Sequence, residues 1–403
     1  MEVAKQMNRL SDRINNLAES QTIAMSARSR ELKAEGIDVI SLSLGEPDFN
    51  PPQHVLDAAK EAIDGDFNHY PPVPGYMDLR EAISKKFKEQ NGLDYAPTQI
   101  VVSTGAKQSI ANLVLSLVNS GDEVIILSPY WVSYMALVEL AEADVKLVHA
   151  DITNDFKVTP QQLAAAITDK TKLIMFSSPS NPTGISYNRD DMAALAAVIA
   201  KNKHVVAMAD EIYEHISFEG NHVSLASFPE VYDQVVTVNG VSKAYAMTGW
   251  RIGYIGAPVD IAKACQKMQG QFTSGANSIG QRAVIAALST SKEDLNKQRD
   301  VFKSRRDLVV SLFGAIDGFE VNVPSGAFYL FPKVEGTFGR SHAGVTINDS
   351  TDLCNYLLNE AHVATVPGEA FGAPGYIRLS YAASETELNE AARRINEAVD
   401  KLA

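Results

Sequence analysis

The chain alternates short apolar runs with amphipathic helical patterns between about Gln99 and Val238. Because the runs are apolar almost throughout, rather than at every second position, they indicate strands that are covered on both faces. Such alternation predicts a large, mostly parallel α/β sheet domain sandwiched by helices. The apolar runs are Gln99–Ser103, Glu123–Leu127, Asp144–His149, Lys172–Ser177, His204–Ala209 and Gln234–Val238, and the main helical patterns are Lys107–Val118, Tyr130–Glu142, Gln161–Ile167 and Asp190–Lys201.

The pattern changes after about Ser291. A charged helical stretch at Lys292–Phe313 is followed by the apolar segment Val323–Leu330 and a helical pattern near Asp352–Glu360. These elements predict a smaller α+β domain. We therefore expect an N-terminal arm at 1–49 that packs in part with the small domain, a large α/β domain at 50–290, and a small C-terminal domain at 291–403.

Composition restricts the class of partner. The 403 residues carry 36 Lys and Arg against 49 Asp and Glu, a net charge of −13, which disfavours nucleic acid as the main partner. Cys265 and Cys354 lack metal-like spacing and indicate reduced thiols. No apolar run approaches the ~20 residues that span a bilayer. Since the first residues also lack the apolar core of a signal peptide, we expect a cytoplasmic protein without a membrane partner.

Candidate ligand-binding residues follow the carboxyl ends of the predicted strands. In open α/β sheets this edge is where ligands bind. Such convergence predicts one site at that edge. The residues that converge there are Gly105, Trp131, Asn181, Asp210 and Lys243.

Lys243 and Arg251 suggest the chemistry of the site. A lysine amine can form a Schiff base, and a guanidinium eight residues on can hold a phosphate with two hydrogen bonds. A phosphate-bearing aldehyde that is held covalently indicates pyridoxal phosphate. The segment Gly105-Ala106-Lys107 opens a helix whose free N–H groups would bind the phosphate. No lysine lies in a nucleotide P-loop pattern.

Each of these residues also has a purely structural interpretation. Lys243 alone could be an exposed lysine, Asp210 a helix N-cap, and the segment around Asn181 a turn. Trp131 and Tyr213 could be core aromatics. The eight histidines show no pairing typical of ligands, and we expect them to be structural or exposed, with no metal site.

Six motifs, spread in order over nearly the whole chain, resemble those of class I, fold-type I pyridoxal-phosphate aminotransferases. The chain is similar in particular to the branch of bacterial aspartate aminotransferases that lacks an arginine for the distal carboxylate. The motifs are Leu44–Phe49, Pro129–Tyr134, Asn181–Gly184, Asp210–His215, the block around Lys243, and Gly375–Ser380.

The resemblance implies catalytic roles for individual residues. Lys243 would form the internal aldimine and move the proton between the substrate Cα and the cofactor. Asp210 would keep the pyridine nitrogen protonated. Tyr213 and Asn181 would hydrogen-bond the ring oxygen, and Trp131 would stack on the ring.

The remaining implied roles concern binding. Arg378 would hold the substrate α-carboxylate with help from Asn181 and the Gly45 backbone, as a bidentate fork. Tyr70 would reach the phosphate of the neighbouring subunit, which implies a homodimer with shared sites. The phosphate would be held by Arg251 and by the N–H groups at Gly105, Ala106 and Lys107.

Two departures from the family pattern bear on the substrate. Gly240 stands where Ser or Thr is common, and whether Ser242 replaces that hydroxyl is left open. The segment Gln269–Asn277 contains no arginine. In the matching branch the distal carboxylate is bound by a lysine and N-terminal hydroxyls, here Lys107, Ser20 and Thr22.

The resemblance therefore implies ping-pong transamination of aspartate and glutamate with oxaloacetate and 2-oxoglutarate. A prephenate or aromatic aminotransferase on the same scaffold is the main alternative, because enzymes that aminate prephenate share the same lysine and hydroxyls. A carbon–sulfur β-lyase is a further alternative. A non-catalytic cofactor-sensing regulator would need a preceding basic helix-turn-helix domain, for which we expect no room.

Overall fold

The computed structural model describes residues 9–220 and 222–403. Its helices are α1 (Asp12–Asn16), α2 (Gln21–Ala34), α3 (Gln53–Asp64), α4 (Met77–Lys86), α5 (Ala106–Leu117), α6 (Ser133–Leu140), α7 (Pro160–Ala166), α8 (Arg189–Lys201), α9 (Val259–Phe272), α10 (Ser278–Ala287), α11 (Lys292–Phe313), α12 (Ser350–Tyr356) and α13 (Glu385–Asp400). Its strands are β1 (Ile40–Ser41), β2 (Ile100–Ser103), β3 (Glu123–Ser128), β4 (Asp144–His149), β5 (Thr171–Ser177), β6 (Val206–Asp210), β7 (Val235–Gly240), β8 (Gly253–Gly256), β9 (Tyr329–Leu330), β10 (Ser341–His342), β11 (Val345–Thr346), β12 (Val363–Ala364), β13 (Val366–Pro367) and β14 (Ile377–Ser380).

The central sheet has the strand order β2-β8-β7-β6-β5-β3-β4 within the described residues. The pairs from β7 through β4 are parallel, and β8 runs antiparallel to both β2 and β7. The predicted mostly parallel α/β sheet is confirmed, and the predicted strand Asp144–His149 coincides with β4.

Strand β8 is absent from the strands that the sequence analysis predicts. Gly253-Tyr254-Ile255-Gly256 is short and has a glycine at each end, so it lacks the β-branched run that marks the other strands. Its place in the sheet is set by its neighbours: it pairs with β2 on one side and β7 on the other.

Helices cover both faces of this sheet, as predicted. Neighbouring residues of one strand enter different cores: Ile125 packs in one hydrophobic cluster and Ile126 in another. The first cluster includes residues of α3, α4, α8 and α10, and the second includes residues of α5, α6 and α9. Burial on both faces explains why the strand sequences are apolar almost throughout.

The C-terminal part supplies most of a third hydrophobic cluster, with residues of α11, β9, α12 and α13. The same cluster takes in Ile40 and Leu42 from the N-terminal segment and four residues that follow β6, namely Ile212, Tyr213, Ile216 and Phe218. Strand β1 pairs in parallel with β12, with Ile40 opposite Val363, so this N-terminal segment contacts the C-terminal part. The domain boundaries at 49/50 and 290/291 stay predictions. Within the described ranges, none of the helices combines the length and apolar character that crossing a membrane requires.

Gly253 lies where two backbone segments touch. A Cβ at this position would overlap the backbone nitrogen of Ala106 and would lie 2.6 Å from the carbonyl carbon of Gly105. Strand β8 can therefore reach the loop that opens α5 only with glycine at position 253.

We predict that Gly253→Ala destabilises the protein by at least about 1–3 kcal/mol, the usual effect of overpacking, because the backbone atoms in its way cannot rotate aside. Gly249→Ala is the matched control, since a Cβ there meets no atom within 4 Å. Denaturant unfolding of both variants measures the difference. Equal midpoints for the two variants would contradict the close approach.

Candidate active site

One cavity of about 210 Å³ collects most of the predicted site residues. Gly105 directly precedes the lining residue Ala106, whereas Ser20 and Tyr70 are not in the lining. Tyr70 is 95% exposed. The predicted residues that line the cavity are Thr22, Gly45, Ala106, Lys107, Trp131, Asn181, Asp210, Tyr213, Ser242, Lys243, Arg251 and Arg378.

The strand directions explain this convergence. The parallel strands all end at one edge of the sheet, so the residues that follow them meet there. Because β8 runs the other way, its first residues lie at the same edge, which places Arg251 beside Gly105. A Cβ at Gly105 would overlap the Arg251 guanidinium. Gly105 has φ 82° and Arg251 has φ 57°, both in the left-handed region that few residues other than glycine adopt.

Lys243 is a partly buried amine at the centre of the cavity. Its Nζ donates to the backbone oxygen of Gly45 at 2.5 Å and lies 5.7 Å from the centre of the Tyr213 ring. Burial, followed by the positive charge of Arg378, lowers the pKa of Lys243 to about 8. With this pKa about a tenth of the amine is neutral at pH 7, far more than for an ordinary lysine, and this neutral form can act as a nucleophile.

Asp210 is a buried carboxyl group at the end of β6. Its Oδ2 accepts a hydrogen bond from the Tyr134 hydroxyl at 2.9 Å, and its Oδ1 accepts one from the Ile212 N–H at 3.2 Å. Burial raises the pKa of Asp210 to about 6, against the effect of these hydrogen bonds. The group is ionised above that pH and presents a negative charge to the cavity.

Arg378 is a buried cation held by neutral groups. Its Nη1 donates to Asn181 Oδ1 at 3.0 Å and its Nη2 to the backbone oxygen of Ser43 at 2.5 Å. Its Nε is buried without a hydrogen-bond partner among the described residues, and it takes part in none of their ion pairs. Burying an unpaired charge is costly, so this guanidinium is suited to an anionic ligand.

Lys107 and Thr22 line the same cavity. The Lys107 ammonium lies 5.1 Å from the centre of the Trp131 ring, and burial followed by the charge of Arg251 lowers the pKa of Lys107. The Thr22 hydroxyl oxygen is buried and has no hydrogen-bond partner in the described part of the chain. Ser20 is the N-cap residue of α2 and stands two residues before Thr22.

The structure shows the surroundings of Gly240, which stands where Ser or Thr is common in the family. Gly240 faces Gly253 across the β7–β8 pair, and a Cβ there would lie 3.0 Å from the Gly253 Cα. A side chain at this position would fit tightly and would require its neighbours to shift by a few tenths of an ångström. Ser242 lines the cavity together with Arg251, so its hydroxyl is close to the site that Gly240 cannot serve.

A polar cluster lies directly after Asp210 in the sequence. His222 Nε2 is 2.9 Å from Glu211 Oε2, and Glu214 forms a buried ion pair with Lys86. Burial alone would lower the pKa of His222, but the Glu211 carboxylate outweighs it and raises that pKa. Glu211, Glu214 and His222 are arranged as metal ligands could be, which the sequence did not indicate, and the expectation of no metal site stays a prediction. The Lys86 ammonium already balances part of this charge.

Sequence reasoning missed two tyrosines of the site. Tyr134, which donates to Asp210, lies inside the quoted motif Pro129–Tyr134 and could have been found there. Tyr329 lines the cavity and contacts the Tyr213 hydroxyl, yet its segment Val323–Leu330 reads only as apolar core.

A lysine of lowered pKa and a buried arginine without an ion-pair partner among the described residues therefore share one cavity, at the edge of the sheet where the parallel strands end. The profile of the family "Aminotransferase class I and II" matches residues 37–395. The chain belongs to this family and is an aminotransferase.

Three relatives illustrate the similarity. The "Bifunctional aspartate aminotransferase and glutamate/aspartate-prephenate aminotransferase" of Petunia hybrida is 45% identical over 395 residues, which cover 97% of this chain and 82% of that protein. The "Aspartate aminotransferase" of Rhizobium meliloti is 44% identical over 393 residues, covering 97% and 96%. A crystal structure of the aspartate aminotransferase from Rhizobium meliloti superposes with a TM-score of 0.94 at 43% identity, covering 98% of this chain and all of that one.

Proposed function

We propose that the protein is an aspartate aminotransferase that uses pyridoxal phosphate bound covalently at Lys243. It exchanges the amino group between aspartate or glutamate and 2-oxoglutarate or oxaloacetate by a ping-pong mechanism. The observation that carries the proposal is the cavity shared by a lysine with a pKa of about 8 and a buried arginine without an ion-pair partner. The first group suits attack on an aldehyde and the second suits a carboxylate.

The residues around Lys243 fit the proposed cofactor. The amino end of α5, a helix of 12 residues, lies beside Arg251 and Ser242, and this combination suits a phosphate. The close approach of Arg251 to Gly105, where a Cβ would overlap the guanidinium, leaves that guanidinium next to the helix terminus. Trp131 would cover one face of the ring.

Pyridoxal phosphate supplies an electron-withdrawing ring that stabilises negative charge at the substrate Cα. Asp210, ionised above about pH 6, would hold a proton on the ring nitrogen, and Tyr134 fixes the orientation of its carboxylate. Tyr213 and Asn181 would hydrogen-bond the ring oxygen. The Lys243 amine would take the proton from the substrate Cα, for which it must be neutral.

The substrate would be held at both ends. Arg378, oriented by Asn181 and the Ser43 backbone, would bind the α-carboxylate, with the Gly45 backbone beside it. The Lys107 ammonium and the unpartnered Thr22 hydroxyl would bind the distal carboxylate, with Ser20 near the start of the same helix. Lys107 and Thr22 line the cavity that contains Arg378, and Ser20 stands two residues before Thr22.

Amination of prephenate or aromatic 2-oxo acids on the same scaffold is the second candidate. Relatives named for prephenate support it, including the "Aspartate/prephenate aminotransferase" of Cereibacter sphaeroides, 45% identical over 389 residues. A lysine ammonium is a point charge and tolerates more varied ligand geometry than a guanidinium fork. Parallel assays with oxaloacetate, phenylpyruvate and prephenate as acceptors distinguish the two candidates.

We also propose a homodimer with shared sites, located in the cytoplasm. Tyr70 is 95% exposed and absent from the cavity lining of its own subunit, so its hydroxyl is free to reach another copy. Cys265 and Cys354 are both buried free thiols, which agrees with a reducing compartment. The two-domain division at 49/50 and 290/291 is part of the same proposal, and it is supported by the third hydrophobic cluster, most of whose residues come from 291–403.

We predict that Lys243→Ala binds pyridoxal phosphate without a covalent bond and loses transamination. Borohydride reduction followed by peptide mapping should place the cofactor on Lys243 in the native protein, and attachment should speed up as pH rises through about 8, because only the neutral amine reacts. Lys263→Ala is the control, since Lys263 is exposed on α9. An adduct on another lysine, or turnover by Lys243→Ala near that of the native protein, would refute the assignment.

We predict that Lys107→Met lowers kcat/KM for aspartate and glutamate about ten- to a hundredfold while sparing alanine and phenylalanine. Methionine keeps the length of the side chain over Trp131 and removes the charge, and a hydrogen bond to a charged group is worth roughly 1.5–3 kcal/mol. Steady-state assays on both groups of substrates measure the effect. Equal losses for dicarboxylic and neutral amino acids would show that Lys107 serves the phosphate or the fold instead.

We predict that Tyr70→Phe and Lys243→Ala complement each other when the two variants are mixed under conditions that exchange subunits. In the heterodimer one site regains both Lys243 and the partner's hydroxyl, so activity should exceed the sum of the separate variants. The control mixes Tyr70→Phe with the double variant Tyr70→Phe/Lys243→Ala, in which no site regains both groups. A fully active monomer in sedimentation would contradict shared sites.

A further inference from the structure

Tyr329 contacts both halves of the candidate site, although the sequence analysis gave it no role. It lies in β9 and is 1% exposed. Its hydroxyl is 2.7 Å from the Tyr213 hydroxyl, and its ring lies under the Arg378 guanidinium, whose carbon is 4.6 Å from the ring centre. A Cβ at Gly45 would overlap the same Tyr329 hydroxyl. One side chain therefore touches the residues proposed to bind the cofactor oxygen and the substrate α-carboxylate.

The pair of hydroxyl groups has two protons and uses one of them in the hydrogen bond between them. When one hydroxyl donates its proton to the other, the proton of the accepting hydroxyl can point elsewhere. Burial raises the pKa of Tyr329, and the adjacent positive charge of Arg378 opposes that rise, whereas the pKa of Tyr213 is raised well above its usual value by burial and then by Tyr329. Under the proposed function Tyr213 donates its single proton to the cofactor ring oxygen, so the hydrogen bond between the two hydroxyl groups must then be donated by Tyr329.

We propose that Tyr329 is a positioning residue that donates a hydrogen bond to Tyr213 and so directs the Tyr213 proton at the cofactor ring oxygen, while its ring supports Arg378. Hydrogen bonds in such a chain polarise one another, so an oxygen that accepts a bond becomes a stronger donor. This inference rests on the proposed function, because it assigns the direction of a hydrogen bond within that site.

Tyr329→Phe tests the hydroxyl alone, because it keeps the ring under Arg378. With the cofactor bound, we expect the pH midpoint of its visible absorbance change to rise by roughly half a unit, since Tyr213 then stabilises a negative ring oxygen less well. We expect kcat to fall about three- to tenfold, the range for one neutral hydrogen bond. The KM for aspartate should change less than about twofold, because Arg378 keeps Asn181, Ser43 and the ring.

Tyr329→Leu tests the ring as well. Removing the surface beneath Arg378 should raise the KM for aspartate and weaken inhibition by succinate at least about fivefold beyond Tyr329→Phe, since a cation over an aromatic face is worth roughly a factor of five or more when buried. An unchanged succinate inhibition constant in Tyr329→Leu would overturn the supporting role of the ring.

A double-variant cycle tests whether Tyr329 acts through Tyr213. In the Tyr213→Phe background, Tyr329→Phe should cause no further shift of the absorbance midpoint. A midpoint that Tyr329→Phe leaves unchanged in the native background, or shifts equally in both backgrounds, would overturn the proposal. Tyr381→Phe is the matched control: Tyr381 is also 1% exposed, and its hydroxyl donates to the Ala327 backbone oxygen at 3.2 Å, outside the cavity lining.

The same variants separate this proposal from the proposed function. If the native protein shows no cofactor absorbance, the proposed function fails. The pair is then tested on the cofactor-free protein by the unfolding free energies of the two single variants and the double variant. A favourable coupling between Tyr213 and Tyr329 would support the hydrogen bond, and additivity would overturn it.

Discussion

The contact between two backbone segments, at Gly253 and at Gly105-Ala106, is the constraint on which the site depends. It lets β8, which runs antiparallel between β2 and β7, lie directly against the start of α5. Since β8 is reversed, its preceding residue Arg251 reaches the edge where the parallel strands end. Without that reversal the carboxyl ends alone would bring Lys243 and Asp210 together but would leave the start of α5 without its guanidinium.

The charged side chains that line the cavity are mainly positive, although the net charge of the protein is −13. Lys107, Lys243, Arg251 and Arg378 all line it, and Asp210 is the only carboxylate in that lining within the described residues. The cations act on one another: Arg378 lowers the pKa of Lys243, and Arg251 lowers the pKa of Lys107. Only Arg378 among these four is fully buried, but their shared position in one cavity attracts anions, which agrees with a phosphate and the carboxylates of a dicarboxylic acid as ligands.

The sequence predicted the parallel strands and the residues after them because those features are local. Apolar runs mark β3 to β7, and the polar residues after them need no further information to be placed at one edge. Strand β8 could not be predicted in this way, because a four-residue segment bounded by glycines has no strand pattern of its own. The role of Tyr329 could not be predicted for a related reason, because the sequence does not show what a buried tyrosine hydroxyl contacts. The Tyr329 hydroxyl contacts the Tyr213 hydroxyl, whereas the Tyr381 hydroxyl donates to a backbone oxygen. Ser20 and Tyr70, named from the resemblance, lie outside the cavity lining of this subunit, and their roles stay predictions.

The order of the two shifted pKa values fits the proposed chemistry. Asp210 ionises near pH 6 and Lys243 loses its proton near pH 8, so between these values the cavity holds an ionised carboxylate and a lysine that still carries its charge in part. Arg378 is the largest electrostatic cause of the low pKa of Lys243 after burial. A substrate carboxylate on Arg378 would offset that cause and make the amine a stronger base while the substrate is bound. Binding of the α-carboxylate and removal of the Cα proton are thus linked through the charge of one arginine. The orientation of Arg378, which is set by Asn181, Ser43 and Tyr329, therefore matters as much as the position of Lys243.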